Sequence, residues 1–152
     1  MRAVTQHRYE LPKTYLTEGM SAEEIGLLQE IAELRSYAPG DKIIRHRDTD
    51  SDLMVLLNGR AQIVSHIGDP LAEIGEGQVF GEIALIDRRP RSANVVAISD
   101  ADVIVILGEP LQSLIEAHPA LGCKLMTNLS RVMCERLRKL NNQLGTLLAL
   151  AN

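Results

Sequence analysis

The pattern of hydrophobic and polar residues predicts a helix near the N-terminus of the chain. Apolar residues recur there at helical spacing, at Ile25, Leu28, Ile31 and Ala32. Ser21 and Glu24 have the spacing of a capping box, in which the two side chains satisfy backbone amides at the start of a helix. Because Pro39-Gly40 does not suit a helix interior, we expect this helix to end near Tyr37.

From Asp41 the pattern changes to short apolar runs that are separated by turn residues. The runs are IIRH, DLMVLLNG, RAQIVSHIGD, LAEIGEGQ, SANVVAISD and DVIVIL. Strand-sized runs bounded by Gly, Asp and Asn are typical of a compact all-β unit. The sequence therefore predicts a β-sandwich or a β-barrel in the middle of the chain.

The helical period returns after Gly108-Glu109-Pro110. We expect a short helix that ends near His118-Pro119 and a longer one from about Ala120. Apolar residues in the longer helix step by four and by three, at Met133, Leu137, Leu140, Leu144 and Leu147. This spacing is typical of the seam between two helices and favours a homodimer through this helix. The alternative is that the stripe packs against its own domain.

Length and composition indicate one folded domain. The chain has 152 residues, of which 45% are hydrophobic and 24% charged, and no apolar run is long enough to cross a bilayer. The N-terminus lacks the apolar segment of a secretory signal, so we expect a cytoplasmic protein. The single domain would comprise a tail and helix (1–37), a β-roll (38–107) and C-terminal helices (108–152).

Charge and residue spacing argue against several functions. A net charge of −4 disfavours a surface that neutralises a long stretch of nucleic acid. Cys123 and Cys134 have no metal or redox spacing, and no Ser or Cys lies in a nucleophile elbow. No His-x-His pair of a cupin metal site is present, and the histidines are isolated residues: His7, His46, His66 and His118. We therefore expect neither a metal site nor an enzyme.

Candidate chemistry is concentrated in FGEIALIDRRPRSANVVA, residues 80 to 97. A helical turn that starts after Gly81 leaves backbone amides unpaired, and such amides attract an anion. Arg91 can bind the same anion by a forked pair of hydrogen bonds. Glu82 would repel an anion, so it needs another partner, for which the hydroxyls of a sugar would serve. A ligand with a phosphate, a ribose and an apolar base uses all these groups; the alternative is a Glu82–Arg91 salt bridge across the turn.

The stretch FGEIAL, followed after an intervening loop by RSA and then by Val95, Val96 and Ala97, resembles a known motif. It is similar to the phosphate-binding cassette, here residues 80–93, of cyclic-nucleotide-binding domains. These domains occur in the catabolite activator protein family, in regulatory subunits of protein kinase A and in cyclic-nucleotide-gated channels. The resemblance implies a mainly β fold with flanking helices: an eight-stranded double-sheet jelly-roll barrel with an N-terminal helix and C-terminal helices.

The resemblance also implies a role for each cassette residue. Glu82, next to Gly81, would bind the ribose 2′-hydroxyl, and Arg91 would bind the cyclic phosphate. Ser92 and the amides of Ile83 and Ala84 would complete the phosphate cradle. The chain departs from the family at three other positions: Arg47 and Asp50 replace turn glycines, and Met54 stands where an aromatic residue is common.

Residues around the base are also placed by the resemblance. Ile63 and Leu71 fall where the family has apolar walls against the purine. Arg136, Asn141 and Asn142 fall on the helix that closes over the base. Asn141 offers a donor and an acceptor for an adenine edge. The alternative is that Asn141 is a solvated residue beside Leu140.

The function implied is a non-catalytic sensor that signals through its C-terminal helices. Ser92 favours cyclic AMP over cyclic GMP, because family members that prefer cyclic GMP often carry threonine there. The cyclic nucleotide would be a ligand, and no cofactor is implied. Since few residues follow the helix seam, we expect no DNA binding by this chain alone. The alternatives are the ligand-binding portion of a longer regulator or channel, and an interaction module without ligand; an unpaired Arg91 would argue against the last.

Overall fold

The computed structural model describes residues 10–152, which form two β-sheets flanked by helices. Most of the predicted N-terminal tail therefore lies outside the described residues. The strands are β1 (Ala32–Tyr37), β2 (Lys42–Ile44), β3 (Leu53–Asn58), β4 (Ala61–Val64), β5 (Pro70–Ile74), β6 (Val79–Phe80), β7 (Asn94–Ala97) and β8 (Ala101–Ile106). The helices are a 3-10 turn (Tyr15–Thr17), α1 (Ala22–Glu30), α2 (Glu82–Asp87), α3 (Gly108–Ala117) and α4 (Pro119–Ala151).

The strands pair in two four-stranded antiparallel sheets, in the orders β1-β8-β3-β6 and β2-β7-β4-β5. This arrangement confirms the expected double-sheet fold with flanking helices. Strands β3 and β8 are apolar on both faces because each face packs on a different layer. Val55 and Ile104 lie in the cluster shared with the helices, whereas Met54 and Val105 lie in the cluster between the sheets.

The prediction that the first helix reaches Tyr37 is wrong. Helix α1 has the predicted Ser21–Glu24 capping box but ends at Glu30, and Ile31 is its C-cap. The next six residues, Ala32–Tyr37, form β1, which pairs along its whole length with β8. The backbone hydrogen bonds of this ladder override the local helical pattern. The β-roll therefore begins at residue 32 rather than at residue 38.

The two C-terminal helices confirm the predicted break near His118-Pro119. The first part of α4, residues 119–132, packs on the domain, with Leu121, Leu125 and Leu129 at most 1% exposed. Asn128 anchors it further, because its side-chain amide donates to the backbone oxygens of Leu16 and Glu18, at 2.9 Å each.

The apolar stripe of the second part of α4, residues 133–151, is exposed. Leu137, Leu140, Leu144 and Leu147 expose between 55% and 64% of their surface. The stripe does not pack against its own domain, so that alternative is wrong. Among residues 10–152, no helix has both the length and the apolar character that crossing a bilayer requires.

Candidate functional site

The turn that begins the cassette helix α2 requires a backbone conformation that glycine adopts readily. Gly81 precedes α2 with a φ of 81°. A Cβ atom at this position would lie 2.9 Å from the carbonyl oxygen of Asp52 and 3.1 Å from Nη1 of Arg91. Only glycine therefore fits here without a rearrangement. The helix ends at Asp87, and the amide of its C-cap, Arg88, donates to the oxygen of Ala84 at 3.0 Å.

A cleft opens between this cassette, the sheet β2-β7-β4-β5 and helix α4. The space in it, including the part open to solvent, is about 490 Å³. The lining residues are Ile44, Ile63, Phe80, Gly81, Glu82, Ile83, Ala84, Pro90, Arg91, Ser92, Ala93, Val95 and Arg136. Apolar side chains thus form one part of the wall. Glu82, Arg91 and Arg136 line the rest, and Asp50 lies directly behind Arg91.

Arg91 is 5% exposed and is held on several sides. Its Nη2 donates to Oδ2 of Asp50 at 2.6 Å and to the carbonyl oxygen of Asp52 at 2.8 Å. Its Nε lies 3.4 Å from Oδ1 of Asp50, and its Nη1 donates to the carbonyl oxygen of Gly81 at 2.8 Å. The guanidinium is therefore fixed in one orientation beside the first turn of α2.

The backbone of Arg91 is bound to the turn that carries Asp50. The amide of Arg91 donates to the oxygen of Asp48 at 2.8 Å, and the amide of Arg47 donates to the oxygen of Arg91 at 2.9 Å. Arg47 has a φ of 71°, the left-handed conformation that a turn glycine adopts readily. Arg47 adopts this conformation although it is not glycine, and the turn brings Asp50 to the guanidinium.

The Asp50 carboxylate responds to two opposing influences. Partial burial raises its pKa, but the hydrogen bonds and the attraction from Arg91 are stronger together and hold the pKa below the ordinary value of 3.8. Asp50 is therefore ionised at neutral pH.

Glu82 is the second buried charge at the cleft, and it is 2% exposed. Its Oε1 accepts a hydrogen bond from Nη1 of Arg136, which lies on α4. The Nη2 of Arg136 donates to the backbone oxygen of Val79 in β6. A single arginine thus joins the second part of α4 to both the carboxylate and the sheet.

The structure answers the question whether Glu82 and Arg91 neutralise each other. They do not form a salt bridge; Glu82 pairs with Arg136 and Arg91 pairs with Asp50. The argument that Arg91 would be costly without a bound anion is wrong, because Asp50 supplies the missing negative charge.

The cleft brings together most of the predicted site residues. Gly81, Glu82, Ile83, Ala84, Arg91, Ser92, Ile63 and Arg136 all line it. Three predicted residues lie elsewhere: Leu71 on β5 is 57% exposed, and Asn141 and Asn142 are on the exposed part of α4. The single chain does not place Leu71 or Asn141 at the cleft, because β5 is an edge strand and α4 passes the cleft at Arg136.

Sequence reasoning missed the role of Asp50. Its substitution for a turn glycine was noticed, but its contact with Arg91 spans 41 positions and has no local signal. The apolar wall residues Ile44 and Val95 were also missed, because they resemble any other inward-facing strand residue.

Other candidate chemistry lies outside this cleft. The imidazole rings of His46 and His66 stack with centroids 5.4 Å apart, so the description of these histidines as isolated is wrong. Cys123 and Cys134 are both exposed. Within residues 10–152, no group of three or more His, Cys, Asp or Glu side chains is arranged to hold a metal ion. A larger depression beside Glu135 and Leu147 is an open surface of α4 and not an enclosed site.

Comparison with known proteins agrees with this architecture. Residues 34–118, more than half of the chain, match the family described as "Cyclic nucleotide-binding domain". The chain belongs to this family. A solved cyclic nucleotide-binding domain from Methylobacillus flagellatus superposes with a TM-score of 0.77 at 26% identity, over 88% of this chain and 77% of that one.

Two curated relatives show how the family's domain is used in longer proteins. The cyclic AMP receptor protein of Thermus thermophilus is 29% identical over 136 residues, which are 87% of this chain and 61% of that protein. Glutaminase 1 of Bradyrhizobium diazoefficiens is 33% identical over 128 residues, which are 84% of this chain and 21% of that protein. The chain therefore spans less than two thirds of the length of either relative.

Proposed function

We propose that this chain is a non-catalytic sensor domain that binds a cyclic nucleotide monophosphate in the cleft and prefers cyclic AMP to cyclic GMP. The observation that carries the proposal is the placement of Glu82 and Arg91. Both are buried at the cleft, but they do not pair with each other: Glu82 pairs with Arg136, and Arg91 pairs with Asp50. A cleft lined by a carboxylate and a guanidinium that do not pair with each other suits a ligand that carries both hydroxyls and a phosphate.

Each group of the ligand has a candidate partner. The ribose 2′-hydroxyl donates to Glu82, and the phosphate accepts from Arg91, from Ser92 and from the amides of Ile83 and Ala84. Ser92 lines the cleft, which supports its use as a phosphate ligand. Its identity as serine rather than threonine is the basis for favouring cyclic AMP.

Arg136 supports the proposal that the ligand signals through α4. It donates to Glu82, the same carboxylate that would accept the ribose hydroxyl. Nucleotide binding therefore changes the partners of the group that joins α4 to the cleft. The ligand favours one position of α4 only as far as it binds that position more tightly.

We also propose that the exposed stripe of α4 forms a homodimer. The stripe has the spacing of a helix pair, and its leucines are more than half exposed on the single chain. Pairing with a second copy would remove this apolar surface from water.

The alternative proposal is that the chain is the ligand-binding portion of a longer regulator, channel or enzyme. The fraction of its relatives that it spans supports this alternative. The two proposals agree on the cleft and differ in what α4 acts on.

Calorimetric titration with cyclic AMP and with cyclic GMP tests the binding proposal. We expect Arg91→Ala to weaken binding by about 2–5 kcal/mol, because the phosphate loses a charged partner. Glu82→Ala should cost about 1–3 kcal/mol, through the lost hydrogen bonds to the ribose. Arg89→Ala is the matched control, because Arg89 is exposed in the same loop and does not line the cleft. Normal binding by both cleft variants, or no binding by the wild type, contradicts the proposal.

Hydrogen exchange with and without nucleotide tests the signalling proposal. We expect altered protection in residues 120–148 when the cleft is occupied. Unchanged protection there, in a protein that does bind nucleotide, would show that α4 is not coupled to the site.

A further inference from the structure

We propose that Asp50 makes the cleft selective for a singly charged phosphodiester over a doubly charged phosphomonoester. The inference rests on the proposed function, because it concerns the phosphate that Arg91 binds. Asp50 lies outside the cassette. Its charge, rather than the shape of the cleft, would be the basis of discrimination between nucleotides.

The hydrogen bonds of Arg91 show which part of the guanidinium remains for a ligand. An arginine side chain has five N–H donors. Nε and both hydrogens of Nη2 are directed to Asp50 and to the carbonyl oxygen of Asp52, and one hydrogen of Nη1 is directed to Gly81. Only the second hydrogen of Nη1 is left over, so the prediction that Arg91 binds the anion by a forked pair of hydrogen bonds is wrong while Asp50 keeps its contact.

The remaining donor is on the cassette side of the guanidinium. Nη1 lies 3.1 Å from the point that a Cβ of Gly81 would occupy, directly before the first turn of α2. Asp50 binds the opposite edge, through Nε and Nη2. A phosphate can therefore bind at Nη1 while Asp50 keeps its contact, and the two anions then share one guanidinium.

The charges of the cleft cancel before any ligand arrives. Arg91 is paired with Asp50, and Arg136 is paired with Glu82. A cyclic phosphodiester adds one negative charge, whereas a phosphomonoester adds about 1.5 to 2 at neutral pH. Each additional charge is repelled by Asp50 across the buried guanidinium of Arg91, and water screens part of this repulsion because the Asp50 side chain is 39% exposed.

The expected size of this discrimination is about tenfold, the factor that corresponds to a moderately screened interaction between one extra charge and Asp50. A difference of this size would help the site to exclude nucleoside phosphomonoesters and polyphosphates. A residue that only positioned Arg91 would instead change the affinity for every phosphate by the same factor.

The test is displacement of a fluorescent cyclic AMP analogue by three ligands: cyclic AMP, 5′-AMP and the methyl ester of 5′-AMP. The methyl ester has an open ring like 5′-AMP but a single charge like cyclic AMP. In Asp50→Asn we expect the inhibition constant of 5′-AMP to improve about tenfold relative to that of the methyl ester. The ratio between the methyl ester and cyclic AMP should stay within about twofold, since their charges are equal.

Two further variants sharpen the test. Asp50→Ala removes the carboxylate in a second way. It should shift the ratio of the inhibition constants of 5′-AMP and its methyl ester in the same direction as Asp50→Asn. Asp48→Asn removes a charge from the same turn, and its exposed side chain does not contact Arg91, so the ratio should not change. An equal change for all three ligands in both Asp50 variants would overturn the proposal and leave Asp50 as a positioning residue.

The wild-type protein provides a measurement that does not depend on the folding of a variant. The second ionisation of a phosphomonoester has a pKa of about 6, so 5′-AMP becomes singly charged as the pH falls from about 7.5 to 5.5. We expect its inhibition constant to approach that of the methyl ester, which is singly charged throughout this range. A constant ratio overturns the proposal, whereas failure of the fluorescent analogue to bind at all contradicts the proposed function itself.

Discussion

The two parts of α4 have similar apolar content but opposite surroundings. In the first part, Leu121, Leu125 and Leu129 are buried against the sheet and the other helices. In the second part, Leu137 and Leu144 are more than half exposed. The difference shows that only the beginning of this helix belongs to the core of the domain, whereas its continuation has an exposed apolar face.

Arg136 lies on the second part and provides its contact with the cleft. The first part is fixed by packing, so the proposed signal from Glu82 would act on the second part and leave the core unchanged. The following substitutions test whether the two parts are as different as their exposure indicates.

The largest expected effect is loss of packing in the first part. Leu125→Ala should lower the free energy of unfolding by about 2–5 kcal/mol, because it leaves a cavity among buried side chains. Leu137→Ala is the matched control in the second part and should change it by less than about 0.5 kcal/mol in dilute protein. Urea unfolding measures both, and equal losses would show that the second part also belongs to the core.

A charged second part should prevent self-association. We expect the double substitution Leu140→Glu and Leu144→Glu to raise the dimer dissociation constant at least about 100-fold, because four leucine contacts are lost per dimer. Sedimentation velocity over a range of concentrations measures this. Asn142→Glu with Thr146→Glu adds the same charge away from the leucine stripe and should leave the dimer intact. A wild-type protein that is monomeric at high concentration contradicts the dimer proposal.

Two glycines of α4 offer a smaller and opposite pair of effects. A Cβ at Gly122 would lie 2.7 Å from Cγ2 of Ile115, so Gly122→Ala should destabilise the domain by about 1–3 kcal/mol. A Cβ at Gly145 would meet nothing within 4 Å. Gly145→Ala should therefore favour the helix by about 0.5–1 kcal/mol. Helix content by circular dichroism, with thermal unfolding, distinguishes the two; destabilisation by Gly145→Ala would indicate a packed second part.

The smallest effect concerns the ion pair between Glu24 of α1 and Lys124 in the first part, which are 2.6 Å apart. The hydrogen bond from Lys124, helped by the amide of Ser21, lowers the pKa of Glu24 below 4.5. A lowered pKa stabilises the folded state above the unfolded-state pKa, and this contribution is lost as the pH falls through the folded-state pKa. Glu24→Gln should thus have a lower thermal midpoint than wild type at pH 7.

This difference should narrow as the pH falls below about 4.5. Glu135→Gln is the control in the second part, where Glu135 is exposed, and we expect it to follow the wild type. A constant difference between Glu24→Gln and wild type down to pH 3 would mean that the ion pair does not contribute.

Local sequence patterns predicted those features that short-range interactions determine. The turn after Gly81 and the break at His118-Pro119 were confirmed. The two-sheet fold was confirmed as well, but it had been implied by the family resemblance, since the local pattern predicted only a sandwich or a barrel. The end of α1 was not, because Ile31 and Ala32 fit a helix locally while the residues from Ala32 onward gain more from pairing with β8. Competition between a local pattern and a distant strand cannot be resolved from one segment alone.

The charged groups of the cleft show the same limit. Glu82 and Arg91 were found from a contiguous motif, but their partners are far away in the sequence. Arg136 lies 54 positions from Glu82, and Asp50 lies 41 positions from Arg91. Arg136 was named because of a family resemblance, and Asp50 was noticed only as an unusual turn residue. Its pairing depends on a backbone turn that no spacing rule indicates.

If the ligand moves α4 at Arg136 as proposed, the length of α4 beyond this residue would amplify the movement. At about 1.5 Å per residue, the fifteen or so residues to the helix end extend about 22 Å past that contact. A tilt of about 10° at Arg136 would displace the tip by about 4 Å, close to the spacing between neighbouring β-strands. A reporter domain fused there would thus receive an amplified movement from the exchange of a single hydrogen-bond partner.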